Sequence, residues 1–379
     1  MDLEFAQEQD EFRSVVRDFA EKEVAPHAAI WDRDHTFPLE TIKKMGEMGL
    51  FGLIFPAIYG GSDAPFSTLC VAIEELARAD SSVAITLSAG VGLGANPIFS
   101  FGDDEQKAAY LPSLCKGESL GAFGLTESGA GSDAGASQTK ATKVDGGYLI
   151  SGSKAFITNS GTPITSVITV TARSEEGVSA FIVESGSKGL TIDPPYRKMG
   201  WPASDTHGIS LDEVFVPDHA LLGTPGKGLA QFLSILDDGR IAISALAVGL
   251  AQGCLDESLA YAKSRVAFGK AIGTNQAVAF KLADMAVAIE AARTLTYKAA
   301  ALKDAGLPFK KEAAIAKLFS SEAAVTIARD ATQIFGGSGF IDETPVARHF
   351  RDSKILEIGE GTSEIQRLVI SRELGLKLA

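Results

Sequence analysis

Apolar positions recur along this chain at two periods, and the change of period divides it into three. Near the start, Phe5, Phe12, Val15, Phe19 and Val24 fall at helical spacing with charges between them. Segments 39–50, 66–79 and 104–115 predict further helices, separated by Gly- and Pro-bearing turns such as 56–61. The Gly-rich stretches 90–94 and 129–135 are expected to interrupt the pattern. From about 121 to 232 Gly, Thr, Ser and Val rise, and short runs alternate about turns. A turn at 145–147 leads into 148–150, with further runs at 167–171, 180–183 and 209–216. These predict strands of an antiparallel barrel or sandwich, not βαβ units. Beyond 233 the helical period returns: Val278, Leu282, Met285, Ile289 and Ala292 step by four, three, four, three, a seam for a helix bundle. Similar patterns run through 241–265, 311–335 and 363–376.

Composition narrows the class. A chain of 379 residues suits two or three domains, and 45% apolar with 22% charged residues is ordinary for a folded protein. The net charge of −13 argues against a nucleic-acid or anionic-membrane surface, since both need a basic face. Cys70, Cys115 and Cys254 form no disulfide framework or metal pair, which suits a reducing cytosol. The start is acidic and amphipathic, without a leader pattern. The longest uncharged stretch, 81–102, carries too many Gly and Ser for a membrane span. A cytoplasmic protein with no membrane or nucleic-acid partner is expected.

Several chemistries find no motif. There is no GxGxxG, with Gly129, Gly131 and Gly135 coming nearest, and no GxxxxGK[ST]. Phe340 replaces the last glycine of a GxSxG around Ser338. The histidines never fall at metal-ligand spacing on one helix, so no metal is expected.

Four segments do carry chemistry: AFGLTESGAGSD (122–133), FITN (156–159), QIFGG (333–337) and EGTSEIQR (360–367). The first suits a strand running into a loop of consecutive backbone N–H groups, a shape that binds anions. In the last, Ser363 followed by Gln366 reads as a capping box, with Ser363 as N-cap. Glu360 would then stand on the turn before a helix, whose dipole helps keep it ionised. A lone glutamate there is usually just solvated; four motifs in order argue for more.

In that order and spacing the chain resembles the acyl-CoA dehydrogenase family of flavoenzymes, particularly its short-chain members, over essentially its whole length. The resemblance implies an α+β multidomain fold: a helical N-terminal domain (1–120), a middle antiparallel β-barrel (121–232) and a C-terminal four-helix bundle (233–379). It implies FAD, an acyl-CoA substrate oxidised to the trans-2-enoyl-CoA, electron transfer flavoprotein as acceptor, a homotetramer and a place in fatty acid β-oxidation. Glu360 would be the α-proton base. Phe123, Leu125, Thr126, Ser132, Phe156 and Thr158 would bind the flavin, with Thr362 and Glu364. Arg265, Phe268, Asn275, Gln276, Gln333, Gly336 and Gly337 match positions that reach the FAD of a neighbouring subunit. Ser132, Asp237, Arg240 and Gly361 would contact substrate, and the Glu360 backbone N–H and a ribityl hydroxyl would face the thioester oxygen. Gly359 departs from the Tyr usual before the base, and Gly239 leaves no carboxylate at the alternative base position beside Arg240. An oxidase of the same fold, or a helical assembly protein without turnover, are the rival readings.

Overall fold

The computed structural model describes residues 7–376, so Phe5 lies outside the described residues. Helices α1 (Gln7–Phe19), α2 (Ala25–Asp34), α3 (Leu39–Glu47), α4 (Phe66–Ala79), α5 (Ser81–Ala89), α6 (Asn96–Phe101) and α7 (Asp104–Cys115) make the first part. Helix α7 starts on a capping box between Asp103 and Gln106. The glycines at 90–94 do not break the helical path as expected. They form a π-turn, Gly90–Ala95, joining α5 to α6. Their role is close approach: a Cβ at Gly94 would lie 2.5 Å from the Gly121 carbonyl oxygen, so glycine lets the helix touch the neighbouring strand. The stretch Ser81–Phe101 is long and apolar enough to cross a membrane, yet it is almost wholly buried inside the fold.

The middle part is a sheet of β1 (Leu120–Gly124), β2 (Lys140–Val144), β3 (Gly147–Thr158), β4 (Thr165–Ser174), β5 (Gly177–Glu184), β6 (Leu190–Ile192), β7 (Thr206–Pro217) and β8 (Leu221–Leu222). Its order is β6-β7-β3-β2-β4-β5-β8, with β1 alongside β4. The expected closed antiparallel barrel is not there: the sheet is mixed and open. Strand β1 runs parallel to β4, as does β2 at the single pair Lys140↔Arg173. The end strands β6 and β8 are three and two residues long, too short to close it. Alternation within a strand reports which faces are buried. It is silent on strand direction and closure. Here both faces are buried: Val167, Ala180 and Ile182 join the helical core, while Ile168, Val170, Phe181 and Val183 form the sheet's own.

The last part holds α8 (Gly228–Ser264), a small hairpin of β9 (Val266–Ala267) and β10 (Lys270–Ala271), α9 (Gln276–Asp304), α10 (Lys310–Phe335), α11 (Pro345–Ser353) and α12 (Ser363–Glu373). Three helices are long. The shorter α12 packs on α10, and α4 of the first part packs along α8. The seam on α9 is real at Met285, Ile289 and Ala292, which are buried.

One carboxyl ties the three parts together. Asp352 on α11 is fully buried, accepts from the Trp201 N–H at 2.6 Å and from the Ser81 hydroxyl at 2.7 Å. The Trp201 indole donates to the same hydroxyl at 3.0 Å. Burial, with Asp80 nearby, lifts this carboxyl to about 7. Asp352→Ala orphans both donors and should destabilise the fold by about 2–4 kcal/mol. Asp352→Asn, which can accept from Trp201 and donate to Ser81, should cost under about 1 kcal/mol. Chemical denaturation of both variants checks this; equal losses would mean that volume, not the hydrogen bonds, matters at this junction.

Candidate active site

The last helix begins one residue earlier than its sequence suggests. Thr362, not Ser363, is the N-cap: its hydroxyl accepts from the Ile365 N–H at 3.3 Å. Gln366 closes no capping box. It is buried, and its amide reaches back to the Gly361 carbonyl at 2.9 Å and the Glu360 carbonyl at 3.4 Å. The turn so held is left-handed at both Glu360 (φ 52°) and Gly361 (φ 96°). Only the glycine adopts that conformation without strain.

This turn lays the Glu360 side chain against α8. A Cβ at Gly239 would lie 1.9 Å from Glu360 Oε2, so the carboxylate occupies a seat that only glycine leaves open. The residue as a whole is half-buried, but Oε2 is hidden and meets no hydrogen-bond donor among the described residues. Burial lifts the carboxyl to about 7, against the pull of Lys317 and Arg240. Arg240 is buried and paired with Asp237, and its Nε has no partner among the described residues.

The segment after β1 is held from beneath by a buried ion pair. Glu127 accepts from the Ser137 hydroxyl (2.7 Å), the Thr139 hydroxyl (2.6 Å) and N–H (3.0 Å), the Gln138 N–H (2.6 Å) and Lys154 Nζ (2.9 Å). Those donors hold its carboxyl far below the usual range, against burial. Lys154 also donates to the Leu125 carbonyl at 3.3 Å, and the Ala155 N–H donates to the Thr126 carbonyl at 2.8 Å. So 125–127 and 154–158 are riveted side by side. Beyond the rivet the loop is open: a Cβ at Gly129 or Gly131 would meet nothing within 4 Å, and Ser132 is exposed. Phe156 stands 64% exposed at φ 61°, its ring tilted over Tyr196, with half-buried Thr158 two residues on. Buried Asn159 donates to the Thr86 carbonyl at 3.2 Å, and its Oδ1 has no partner among the described residues.

The predicted residues separate into groups. Glu360, Gly361, Thr362, Asp237 and Arg240 gather where α8 meets the last turn, with Glu364 exposed in the first turn of α12. Thr126, Phe156 and Thr158 lie on the riveted segments, and Ser132 on the open loop beyond them. Phe123 and Leu125 face the helical core instead; the Phe123 ring stacks on Phe232 at 4.1 Å. Arg265, Phe268, Asn275 and Gln276 sit around the β9–β10 hairpin, and Gln333, Gly336 and Gly337 at the end of α10. Stacking of Tyr261 on Phe335 at 4.1 Å holds these two ends together. At 1.5 Å per residue, Gln333 lies about 24 Å along α10 from Lys317, and Arg265 about 39 Å along α8 from Gly239. Within one chain this group does not join the Glu360 site.

Sequence reasoning misses Glu127, Lys154 and Lys317. Glu127 stands inside a motif whose glycines draw the eye. Lys317 carries a legible signal, a lone cation in line with the small buried positions Ala313, Ala316, Ser320 and Ala324 of α10.

Family models for the acyl-CoA dehydrogenase N-terminal, middle and C-terminal domains match residues 6–118, 122–214 and 226–375. A probable acyl-CoA dehydrogenase of Bacillus subtilis is 52% identical, covering 99% of this chain and 100% of its own length. The short-chain specific acyl-CoA dehydrogenase of Clostridium acetobutylicum is 45% identical over 99% of this chain and 100% of its own. The solved butyryl-CoA dehydrogenase of Megasphaera elsdenii superposes with a TM-score of 0.96 at 43% identity, covering 99% of this chain and 100% of that one. A chain solved in work on the electron transferring flavoprotein of Acidaminococcus fermentans gives 0.97 at 41% identity, covering 99% of each.

The Glu360 environment has a stability signature. A carboxyl whose folded-state pKa is raised from 4.5 to about 7 binds its proton more tightly folded than unfolded, so it costs stability as pH rises through that window. Glu360→Gln removes the titration. The variant should exceed wild type by about 1–3 kcal/mol at pH 8, with the gap closing towards pH 4.5. Unfolding midpoints across that range check it, and parallel curves would mean that the carboxyl is not held out of water.

Proposed function

This chain belongs to the acyl-CoA dehydrogenase family, oxidoreductases whose members bind FAD, and on that premise we propose that it dehydrogenates a short-chain acyl-CoA to the trans-2-enoyl-CoA with Glu360 as base. The observation that carries the reading is the Glu360 carboxylate, seated on Gly239 with one oxygen unpartnered among the described residues. A carboxyl raised to about 7 is poised to take a proton near neutral pH. It acts only when ionised, so the rate should rise with pH through that region. The Glu360 main-chain N–H is the chain's own donor to the thioester oxygen as enolate charge develops. Arg240, held by Asp237, is the local cation for the CoA side of an otherwise acidic protein.

The residues present fit a flavin. The loop at Gly129 and Gly131 is open to an anion, and an aromatic left largely exposed at a left-handed φ is what a flat ring system would cover. Thr126, Ser132, Phe156 and Thr158 would hold FAD from this chain, with Thr362 and Glu364 nearby. FAD, when bound, supplies the acceptor for the β-hydrogen as hydride. Arg265, Phe268, Asn275, Gln276, Gln333, Gly336 and Gly337 would serve the FAD of a second copy. Their distance from Glu360 within one chain, and Phe268 wholly exposed, support that assignment. Phe123 and Leu125 are left to contact the cofactor through their backbone. A homotetramer, a cytoplasmic setting, a role in β-oxidation and the domain limits 1–120, 121–232 and 233–379 belong to the same proposal. Electron transfer flavoprotein as acceptor is supported by the similar chain solved in work on that protein.

Three measurements test this. Glu360→Gln should keep FAD but slow the bleaching of flavin absorbance by butyryl-CoA, mixed anaerobically, by roughly 10²–10⁴-fold. Near wild-type bleaching would remove Glu360 from the role. A panel of straight and branched acyl-CoAs with the wild type then fixes chain length. Arg265→Ala should lower FAD affinity about tenfold or more, as for a lost charge-assisted contact. Flavin content after gel filtration reads this directly, and full occupancy would count against a shared site.

A further inference from the structure

Lys317 carries its charge where an ammonium is costly. It lies on α10, wholly buried, and donates to the Gly361 carbonyl at 2.6 Å. The Gln366 amide donates to the same oxygen at 2.9 Å, so that carbonyl is clamped from two helices directly after the base. One hydrogen bond to a neutral carbonyl does not offset burial of an ammonium. Of the carboxylates that favour its charge, Glu360 acts most strongly, ahead of Glu357 and Glu364. Lys317 and Glu360 act on each other: the Lys317 charge draws the Glu360 carboxyl down, and Glu360 draws the Lys317 ammonium up against a burial that lowers it to about 8.

We propose that Lys317 is a positioning residue for the base: its ammonium pins the left-handed Glu360–Gly361 turn and keeps the Glu360 carboxylate ionised near neutral pH. The proposal rests on the reading of Glu360 as proton acceptor. The other charged groups around this turn do not replace Lys317. Arg240 on α8 is shared with Asp237; Glu357, paired with Lys354, precedes the turn; Glu364 on α12 is exposed. Only Lys317 touches the turn's own backbone by a side-chain cation among the described residues.

Two variants separate charge from hydrogen bond. Lys317→Gln keeps a donor and loses the charge; Lys317→Met loses both. In the FAD-loaded enzyme with butyryl-CoA, the pH midpoint of flavin bleaching should move up by about one unit in both, the size expected for loss of a neighbouring opposite charge. Well below the midpoint the rate then falls about tenfold. The high-pH plateau should stay within a few-fold of wild type for Lys317→Gln and drop further for Lys317→Met. A lowered plateau with an unmoved midpoint in both variants would overturn the proposal and leave a lysine that only supports packing. A second readout needs no substrate. The stability gap between Glu360 and Glu360→Gln, followed against pH, should stop widening about one unit higher on the Lys317→Gln background. If the wild type is not bleached by any acyl-CoA, the functional reading fails, and this stability measurement still decides Lys317. A gap unchanged by the background overturns it.

Discussion

The contact between the Glu360 carboxylate and the bare backbone at Gly239 sets terms for the architecture around it. An oxygen hidden from water with no donor among the described residues is costly, and neighbouring elements must hold the carboxyl there. They come from far apart in sequence: Gly239 and Arg240 from α8, Lys317 from α10, Gln366 from α12. The left-handed turn that aims the side chain is itself strained at Glu360. It persists because Gln366 and Lys317 clamp the Gly361 carbonyl beside it. Stability is given up locally, as at many sites that keep a reactive group poorly solvated.

The middle domain handles the same side chain in the opposite way. Glu127 is also buried, yet its carboxyl is driven far down because several hydroxyl and N–H donors and Lys154 all reach it. Its task is to stay charged and hold two segments in register, and a fully satisfied buried pair suits that. Glu360, whose Oε2 meets no donor among the described residues, has its carboxyl raised to about 7 instead. The two glutamates are set apart by the donors around them: five reach Glu127, while Glu360 Oε2 meets none among the described residues.

Much of the fold is legible in the order of residues. Helices at 66–79, 104–115 and 311–335, and the strand runs between 148 and 216, come from burial period alone, because one face of each packs on a core. The departures have local causes. The open mixed sheet reads as a closed barrel because alternation records faces, not direction. The glycines at 90–94 read as a break, but they serve contact with β1. The N-cap shifts from Ser363 to Thr362 because Gln366 is drawn to the Glu360 and Gly361 carbonyls.

For the site, the sequence by itself determined the parts that sit in contiguous motifs: Glu360 on its turn, the Gly-rich loop after β1, the strand end at FITN. These are local, since a few neighbouring residues shape a turn or a loop. Only the tertiary structure decided what surrounds them. It placed Gly239 against a carboxylate 121 positions later, put Lys317 beneath the turn at 361, and left Phe123 stacked on Phe232 instead of facing the open loop. Ionisation depends on desolvation and on charges a few ångströms away. That distance is set by helix packing, which no local pattern of residues records.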